Sequence, residues 1–293
     1  MRYLDRVHPI CAFVYFVSVI VVAMVTMHPV VVGLCFLSGI SLYGTLCGGR
    51  RLLKSLTWSL PMMVVIAALN PILSHKGSTV VLFLNDTPIT LESIVYGATF
   101  ALMVAAVFYW FACYSEIMTS DKFIYLFGRI IPKLSLLLSM TLAAIPRLKR
   151  QYREIDDAQR ALAPETDDGA VAKLRRGGSV FSALVSRALE GSIETADSMR
   201  ARGYGLRGRT AYSIFRFTAS DAVLLVLTLA LAVAVIALVL VGGVDYAYYP
   251  TLGAVGHGPA DLALYAALTL LCGGSILMEV KETILWHTLR SSI

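Results

Sequence analysis

A run of 43 residues without Asp, Glu, Lys or Arg separates Arg6 from Arg50, and it limits the possible folds more than any other feature. As one helix, at about 1.5 Å per residue, it would be roughly 64 Å long, about twice the hydrocarbon core of a bilayer. It therefore predicts two membrane spans joined by a tight turn. Met27-His28-Pro29 is the natural break, because a proline inside a helix removes a hydrogen bond and disfavours helix at the residue before it. We expect the spans near 10–27 and 29–47.

The rest of the chain has a similar apolar character. Only 15% of its residues are charged, against about 25% in soluble domains. The apolar stretch Leu134–Pro146 is too short for a typical span, and we interpret it as re-entrant or lying at the membrane surface. The sequence predicts an all-α polytopic membrane protein with about six transmembrane helices. The four further spans are expected in Ser55–Ser74, Ser93–Ser115, Ala222–Val244 and Leu262–Met278.

The basic residues predict the orientation. If the N-terminus is cytoplasmic and six spans alternate, 24 of the 25 Lys and Arg residues lie inside, and only Lys76 lies outside. Because short cytoplasmic loops carry an excess of Lys and Arg, we expect a multi-pass protein of the cell membrane with its N-terminus in the cytoplasm. A cleaved signal peptide fits less well, since a second apolar run follows the first directly.

Two loops are expected outside. The first, residues 75–92, has the pattern of a β-hairpin with Val80–Leu84 as one strand and Asn85-Asp86 as the turn. The second, residues 245–261, is rich in Gly, Tyr and Pro and is expected to be a plain loop.

A charged insert, residues 147–218, interrupts the apolar regions. It holds 14 basic and 9 acidic residues among 72, and it predicts a separate cytoplasmic module between transmembrane regions at 1–146 and 219–293. A first helix is expected over Arg147–Leu162, because Pro164 forbids its continuation. Residues 165–178 contain turn signals and are expected to be a linker with a short helix around 169–176.

A second helix is expected in this module from Val180 to Arg202. Gly203 follows its last turn, where a left-handed residue usually ends a helix. A membrane-associated basic helix and a partner-docking helix explain the pattern equally well. Small residues at the ends of both helices, and an arginine that can bind a partner carboxylate, favour docking. The amphipathic stripe consists of Leu184, Val185, Ala188, Leu189, Ser192, Ile193, Ala196 and Met199.

The end of this helix carries a specific motif. Ser198-Met199-Arg200-Ala201-Arg202-Gly203-Tyr204-Gly205, followed by Arg209-Thr210, resembles the second Ala-Arg-Gly motif of the transmembrane T component of energy-coupling factor transporters. The resemblance covers most of the chain and is weakest after about residue 240. Similar segments are Asn70-Pro71-Ile72-Leu73-Ser74-His75-Lys76-Gly77, Ile89-Thr90-Leu91-Glu92 with Tyr96-Gly97, Thr119-Ser120-Asp121-Lys122, and Ile145-Pro146-Arg147.

The resemblance implies a non-catalytic scaffold subunit of a vitamin or transition-metal importer. Its expected partners are two ATPase subunits, which bind the ATP, a small substrate-binding membrane subunit and the bilayer; no cofactor is expected on this chain. Carried over by position, the second coupling motif is Ala201, Arg202 and Gly203. The first is Ala161, Leu162 and Ala163, where Leu replaces the family's Arg and Ala its Gly. This inequality suggests two different ATPases.

Other functional signals are weak. Gly203-x-Gly205-x-x-Gly208 follows a helix and not a strand, so it lacks the context of a dinucleotide site. The net charge of +6 is explained by the cytoplasmic loops, and no nucleic acid is expected. Asp221 is interpreted as an interfacial anchor or an N-terminal helix charge. No metal site is expected from the isolated histidines His8, His28, His75, His257 and His287.

The alternative is a self-contained secondary transporter or membrane enzyme. Either would need ionisable side chains that face a cavity within the membrane. The first five apolar runs contain almost none.

Overall fold

The computed structural model describes residues 3–74, 77–84, 87–128, 131–162, 169–206, 215–241, 246–253, 256 and 258–291. Within these residues five helices are long and apolar enough to cross a membrane, and Pro9–Val25 is a shorter apolar helix of 17 residues. The prediction of an all-α polytopic membrane protein is confirmed. The elements are α1 Tyr3–Arg6, α2 Pro9–Val25, α3 Pro29–Cys47, α4 Gly49–Leu73, β1 Val80–Leu84, β2 Thr87–Thr90, α5 Leu91–Ile117, α6 Ser120–Gly128, α7 Pro132–Leu162, α8 Ala170–Ala201, α9 Ala219–Val241 and α10 Pro259–Ser291.

The chain divides into two compact units. The first comprises Met1–Lys122 and Phe215–Ile293, and contains α1 to α5, α9 and α10. The second comprises Phe123–Ile214 and contains α7 and α8. The division of the chain into transmembrane and cytoplasmic regions at residues 146 and 218 stays a prediction.

The predicted break in the first apolar run is confirmed. Helix α2 ends at Val25 and α3 begins at Pro29, so the proline occupies the first turn of α3, where its missing N–H costs nothing. Pro9 has the same place in α2, and the Nδ1 of His8 caps that helix by accepting a hydrogen bond from the N–H of Ile10 at 3.3 Å.

The core of the first unit surrounds Trp110 of α5, which is fully buried. Its indole N–H donates to the backbone oxygen of Cys35 in α3 at 2.9 Å, and its ring contacts Tyr15 and Phe16 of α2 in edge-to-face geometry. A Cβ on Gly39 would lie 3.1 Å from the indole nitrogen, so a glycine is what lets the tryptophan approach α3. The small residues of α3 therefore serve close helix packing at this position.

Helices α4 and α5 meet most closely at Gly97. A Cβ at this position would lie 2.5 Å from the backbone oxygen of Ala67 and 3.1 Å from the Cβ of Asn70. The side-chain amide of Asn70 donates to the backbone oxygen of Ser93 at 2.9 Å. The hydroxyl of Ser93 donates to the backbone oxygen of Ser74 at 2.8 Å. Hydrogen bonds between backbone and short polar side chains thus join the two helices where they approach each other.

We expect Gly97→Ala to destabilise the protein by about 1–3 kcal/mol, the usual cost of overpacking, because the added methyl group meets rigid backbone. The matched control is Gly273→Ala in α10, where an added Cβ meets nothing within 4 Å. This control should be neutral, or stabilising by up to about 1 kcal/mol through its better helix propensity. Thermal unfolding in detergent, followed by size-exclusion chromatography, measures both variants. Equal melting temperatures for the two would contradict the close approach.

The predicted hairpin between α4 and α5 is confirmed. Strands β1 and β2 pair antiparallel, while the predicted turn at Asn85-Asp86 lies outside the described residues. Glu92 is buried in the first turn of α5 and binds the two residues that precede β1. Its carboxylate accepts from the hydroxyl of Ser78 at 3.2 Å and from the hydroxyl of Thr79 at 2.8 Å.

Two predicted helix breaks are wrong. Helix α7 runs without interruption from Pro132 to Leu162 and contains Pro146, so no break separates its apolar from its charged half. Helix α8 begins at Ala170 and continues through Gly177 and Gly178, where a linker was expected. A proline inside a helix costs about 3 kcal/mol and a glycine about 1 kcal/mol. Packing of α7 against α8 along these long helices offsets such costs.

Candidate coupling site

The end of α8 has the geometry that its sequence predicts. Gly203 has φ +78°, and its N–H donates to the backbone oxygen of Arg200 at 2.9 Å. The N–H of Tyr204 donates to the backbone oxygen of Met199 at 3.0 Å. This pair of bonds is the Schellman motif, which requires a left-handed residue at Gly203 and stops the helix there. The predicted helix end is confirmed.

This stop leaves Arg202 at the tip of the helix. Ala201 and Arg202 are both exposed, and Arg202 is the residue at which the backbone leaves the helix. The neighbouring Arg200 lies 4.0 Å from Asp197, whereas within the described residues Arg202 forms no ion pair. Its guanidinium is therefore available to a carboxylate of another protein, for which its planar donors suit a bidentate contact.

The end of α7 differs from that of α8. Ala161 and Leu162 are exposed, Leu162 by 80%, and Ala163 lies outside the described residues. Arg160 is 2.7 Å from Asp156, one turn earlier in the same helix. Leu162, which stands where the resemblance places an arginine, is therefore an apolar side chain. The nearest arginine, Arg160, forms an ion pair with Asp156 of the same helix.

Helices α7 and α8 pack against each other in the second unit. Asp156 of α7 lies 3.7 Å from Arg176 of α8, and its carboxylate thereby links the two helices. A Cβ on Gly191 would lie 3.5 Å from the guanidinium of Arg147, so α8 offers a small residue where α7 brings a long one. The half-buried face of α8 consists of Leu184, Ala188, Gly191, Thr195 and Met199.

A second face of α8 is apolar and exposed. Its residues follow one another at intervals of one helical turn, and between 40% and 68% of each is exposed. We call this face the α8 stripe: Phe181, Val185, Leu189 and Ile193. The stripe predicted from the sequence places Val185, Leu189 and Ile193 together with the half-buried residues and does not include Phe181. The i, i+4 spacing, continued by one turn toward the N-terminus, would have found it.

The family of this chain follows from a match to a protein-family model. The model of the CbiQ family, described as cobalt transport protein, matches residues 4–212. The chain belongs to this family. The match includes α1 to α8, and therefore both candidate coupling ends. It confirms the family recognised from the Ala-Arg-Gly motif, and it makes the chain a multi-pass membrane protein of a transport family.

A curated relative supports this membership of the CbiQ family. The chain is 28% identical over 97 residues to a protein of Lactobacillus helveticus (strain DPC 4571) named energy-coupling factor transporter transmembrane protein EcfT. The similar region is 32% of this chain and 35% of the relative, so the match spans about a third of that protein's length.

Proposed function

We propose that the chain is the membrane scaffold of an energy-coupling factor importer. In this proposal two ATPase subunits dock on the exposed ends of α7 and α8, and their ATP-driven motion is transmitted to a separate substrate-binding membrane subunit. The chain itself is non-catalytic. The cargo is a transition-metal ion or a vitamin, and the description of the CbiQ family as cobalt transport protein supports a metal ion.

The observation that carries the proposal is the exposed Arg202 at the Schellman end of α8, which forms no ion pair within the part of the chain that the structure describes. Hot spots of protein interfaces are enriched in arginine, and the planar fork of a guanidinium loses less conformational freedom per hydrogen bond formed than a flexible donor does. The α8 stripe adds apolar area beside it. A helix with such a stripe and a terminal arginine fits a groove with apolar walls and an acidic residue at its end.

The unequal ends support two different ATPases. The α8 end offers a charge to its partner, while the α7 end offers the exposed Leu162. A surface selected to bind a guanidinium leaves a buried carboxylate unpaired when it meets leucine, and this costs affinity. Each end therefore fits a separate partner surface.

The distribution of basic residues supports a cytoplasmic position for both ends. All 14 basic residues of the segment 147–218 lie on the side that the positive-inside rule assigns to the cytoplasm. ATP is available on that side. The N-terminus is cytoplasmic in the same topology.

The self-contained transporter has less support from the membrane helices. The buried carboxylates of Glu92 and Asp221 lie in the first turns of their helices and bind loop residues. A cavity of about 240 Å³ between α4 and α5 is lined by apolar residues and two serines, Ser55 and Ser59, without any ionisable side chain. The buried carboxylate of Glu279, near the end of the apolar part of α10, binds the backbone N–H of Leu4 and lines no part of this cavity.

The test is affinity purification of the tagged chain from its native membranes in mild detergent, with mass spectrometry of the proteins that accompany it. We expect two nucleotide-binding ATPases and one small hydrophobic membrane protein, and ATP hydrolysis by the purified complex. An unrelated tagged multi-pass protein is the control. A chain that purifies intact and alone, and transports substrate into liposomes without ATP, would support the self-contained transporter instead.

A further inference from the structure

Three residues of the N-terminal segment Leu4–His8 are buried, although the segment contains only the end of one short helix and its other two residues, Asp5 and Arg6, are exposed. Leu4, Val7 and His8 are each less than 5% exposed. A four-residue helix has little stability of its own, so other parts of the first unit must hold the segment in place. We call this segment the N-terminal clasp.

Two charged side chains bind the backbone of Leu4. Its N–H donates to a carboxylate oxygen of Glu279 in α10 at 3.2 Å, and its carbonyl oxygen accepts from the ammonium of Lys122 at 3.4 Å. Glu279 is 1% exposed and Lys122 5%. Burying such groups is costly unless they are hydrogen-bonded, so these contacts with Leu4 matter to both side chains. Burial lowers the pKa of Lys122, and the nearby Asp5 opposes this effect.

A third charged side chain binds the other end of the clasp. The N–H of His8 donates to one carboxylate oxygen of Asp221 at 3.2 Å. The other oxygen accepts from the N–H of Thr218 at 3.0 Å and from its hydroxyl at 2.6 Å. The His8 ring also contacts Phe217 edge-on, at 5.1 Å between centroids. Asp221 thus connects the clasp to the residues that lead into α9.

The positions of these partners along the chain suggest what the clasp does. The first unit ends at Lys122, the chain enters the second unit at Phe123, and it returns to the first unit at Phe215. The clasp therefore binds the last residue before the second unit, and just after the return it contacts the ring of Phe217 and the carboxylate of Asp221. It also binds α10 through Glu279 and continues into α2.

The chain leaves the first unit after Lys122 and re-enters it at Phe215, and we call these two places the crossings. We propose that the N-terminal clasp holds both crossings to α2 and α10, and so transmits motion of the coupling helices to the membrane helices. Lys122 and Glu279 are positioning residues in this role. The inference rests on the proposed function, because it needs ATPases that move the second unit. Without the clasp each crossing can shift by itself, and the ATPases can cycle without moving α9 and α10.

The test compares Lys122→Met and Glu279→Met, which remove the hydrogen-bond donor and acceptor that bind the Leu4 backbone, with wild type in the complex purified through this chain and placed in lipid nanodiscs. ATP hydrolysis and hydrogen–deuterium exchange are measured with and without ATP. The exchange is read at residues 246–253, which lie between the end of α9 and the start of α10. We expect both variants to hydrolyse ATP, while the nucleotide-dependent change in exchange at these residues falls about fivefold or more, the lower end of the range for coupled sites.

The matched control is Lys281→Met, which changes an exposed lysine in α10 two residues from Glu279. It should behave as wild type. Lys122→Arg should restore most of the response, because it keeps a donor for the Leu4 carbonyl oxygen, and melting temperatures identify any variant that fails to fold. If wild-type complexes form and hydrolyse ATP but Lys122→Met and Glu279→Met keep the full response, the clasp is wrong and the proposed function stands. If no ATPase accompanies the wild-type chain, both are wrong.

Discussion

Arg202→Glu is expected to abolish ATPase association at the α8 end, and with it ATP-driven uptake, while membrane insertion is unchanged. The exposed guanidinium has no ionic partner within the described residues, so the folded chain loses little by its replacement. In the complex, the same change places two carboxylates against each other. Removing one partner of a buried hydrogen-bonded charge pair costs about 2–5 kcal/mol, and thus weakens binding about thirtyfold or more.

Arg187→Glu is the matched control for Arg202→Glu, since it makes the same charge change at an exposed position in the middle of α8. Co-purification of the ATPases, uptake in cells and the amount of chain in the membrane fraction are measured for both variants. Wild-type uptake by Arg202→Glu would end the docking role of this residue. Equal losses in both variants would point to a general effect of charge on α8.

Features written in a few neighbouring residues could be predicted from the sequence. The turn at Pro29 follows from the proline, which is favoured in the first turn of a helix, and the end of α8 follows from a glycine that tolerates φ +78°. Asp221 also lies where its position predicts, in the first turn of α9. Each of these outcomes depends on local backbone conformation, and tertiary packing does not oppose it.

Features that depend on packing could not be predicted in the same way. The breaks expected at Pro146 and at Gly177-Gly178 are absent, because contacts between α7 and α8 outweigh the local cost. The clasp joins Leu4 to Lys122, 118 residues away, and to Glu279, 275 residues away. In the sequence, Lys122 looks like any other basic residue outside the apolar runs. Only the fold separates its role from that of Lys281.

The family resemblance predicts two candidate coupling ends but not their surroundings. Motif comparison assigns Ala201, Arg202 and Gly203 without reference to exposure. The structure adds that Arg202 is exposed, that Arg160 is bound by Asp156, and that the α8 stripe is exposed. These three facts decide which residues of the second unit are available to a partner.

Trp110→Ala is expected to destabilise the first unit by about 3–5 kcal/mol, the usual range for removing a buried aromatic side chain. In a membrane protein this loss comes mainly from packing, because lipid tails are as apolar as the protein interior. The indole fills the space left by Gly39, contacts Tyr15 and Phe16, and donates to the Cys35 carbonyl. Its removal therefore creates a cavity where α2, α3 and α5 meet.

Trp58→Ala provides the control for this prediction, since it makes the same substitution in α4 at a side chain that is 79% exposed. Little of this side chain is buried, so its removal loses little packing, and the melting temperature of the variant in detergent should stay close to that of the wild type. Trp110→Phe should fall between the two, because it keeps most of the packing but loses the hydrogen bond to Cys35, a net contribution of about 1 kcal/mol. If Trp110→Ala and Trp58→Ala melt together, the junction of α2, α3 and α5 is not the stabilising centre of the unit, and its stability must come from the contacts of α9 and α10 instead.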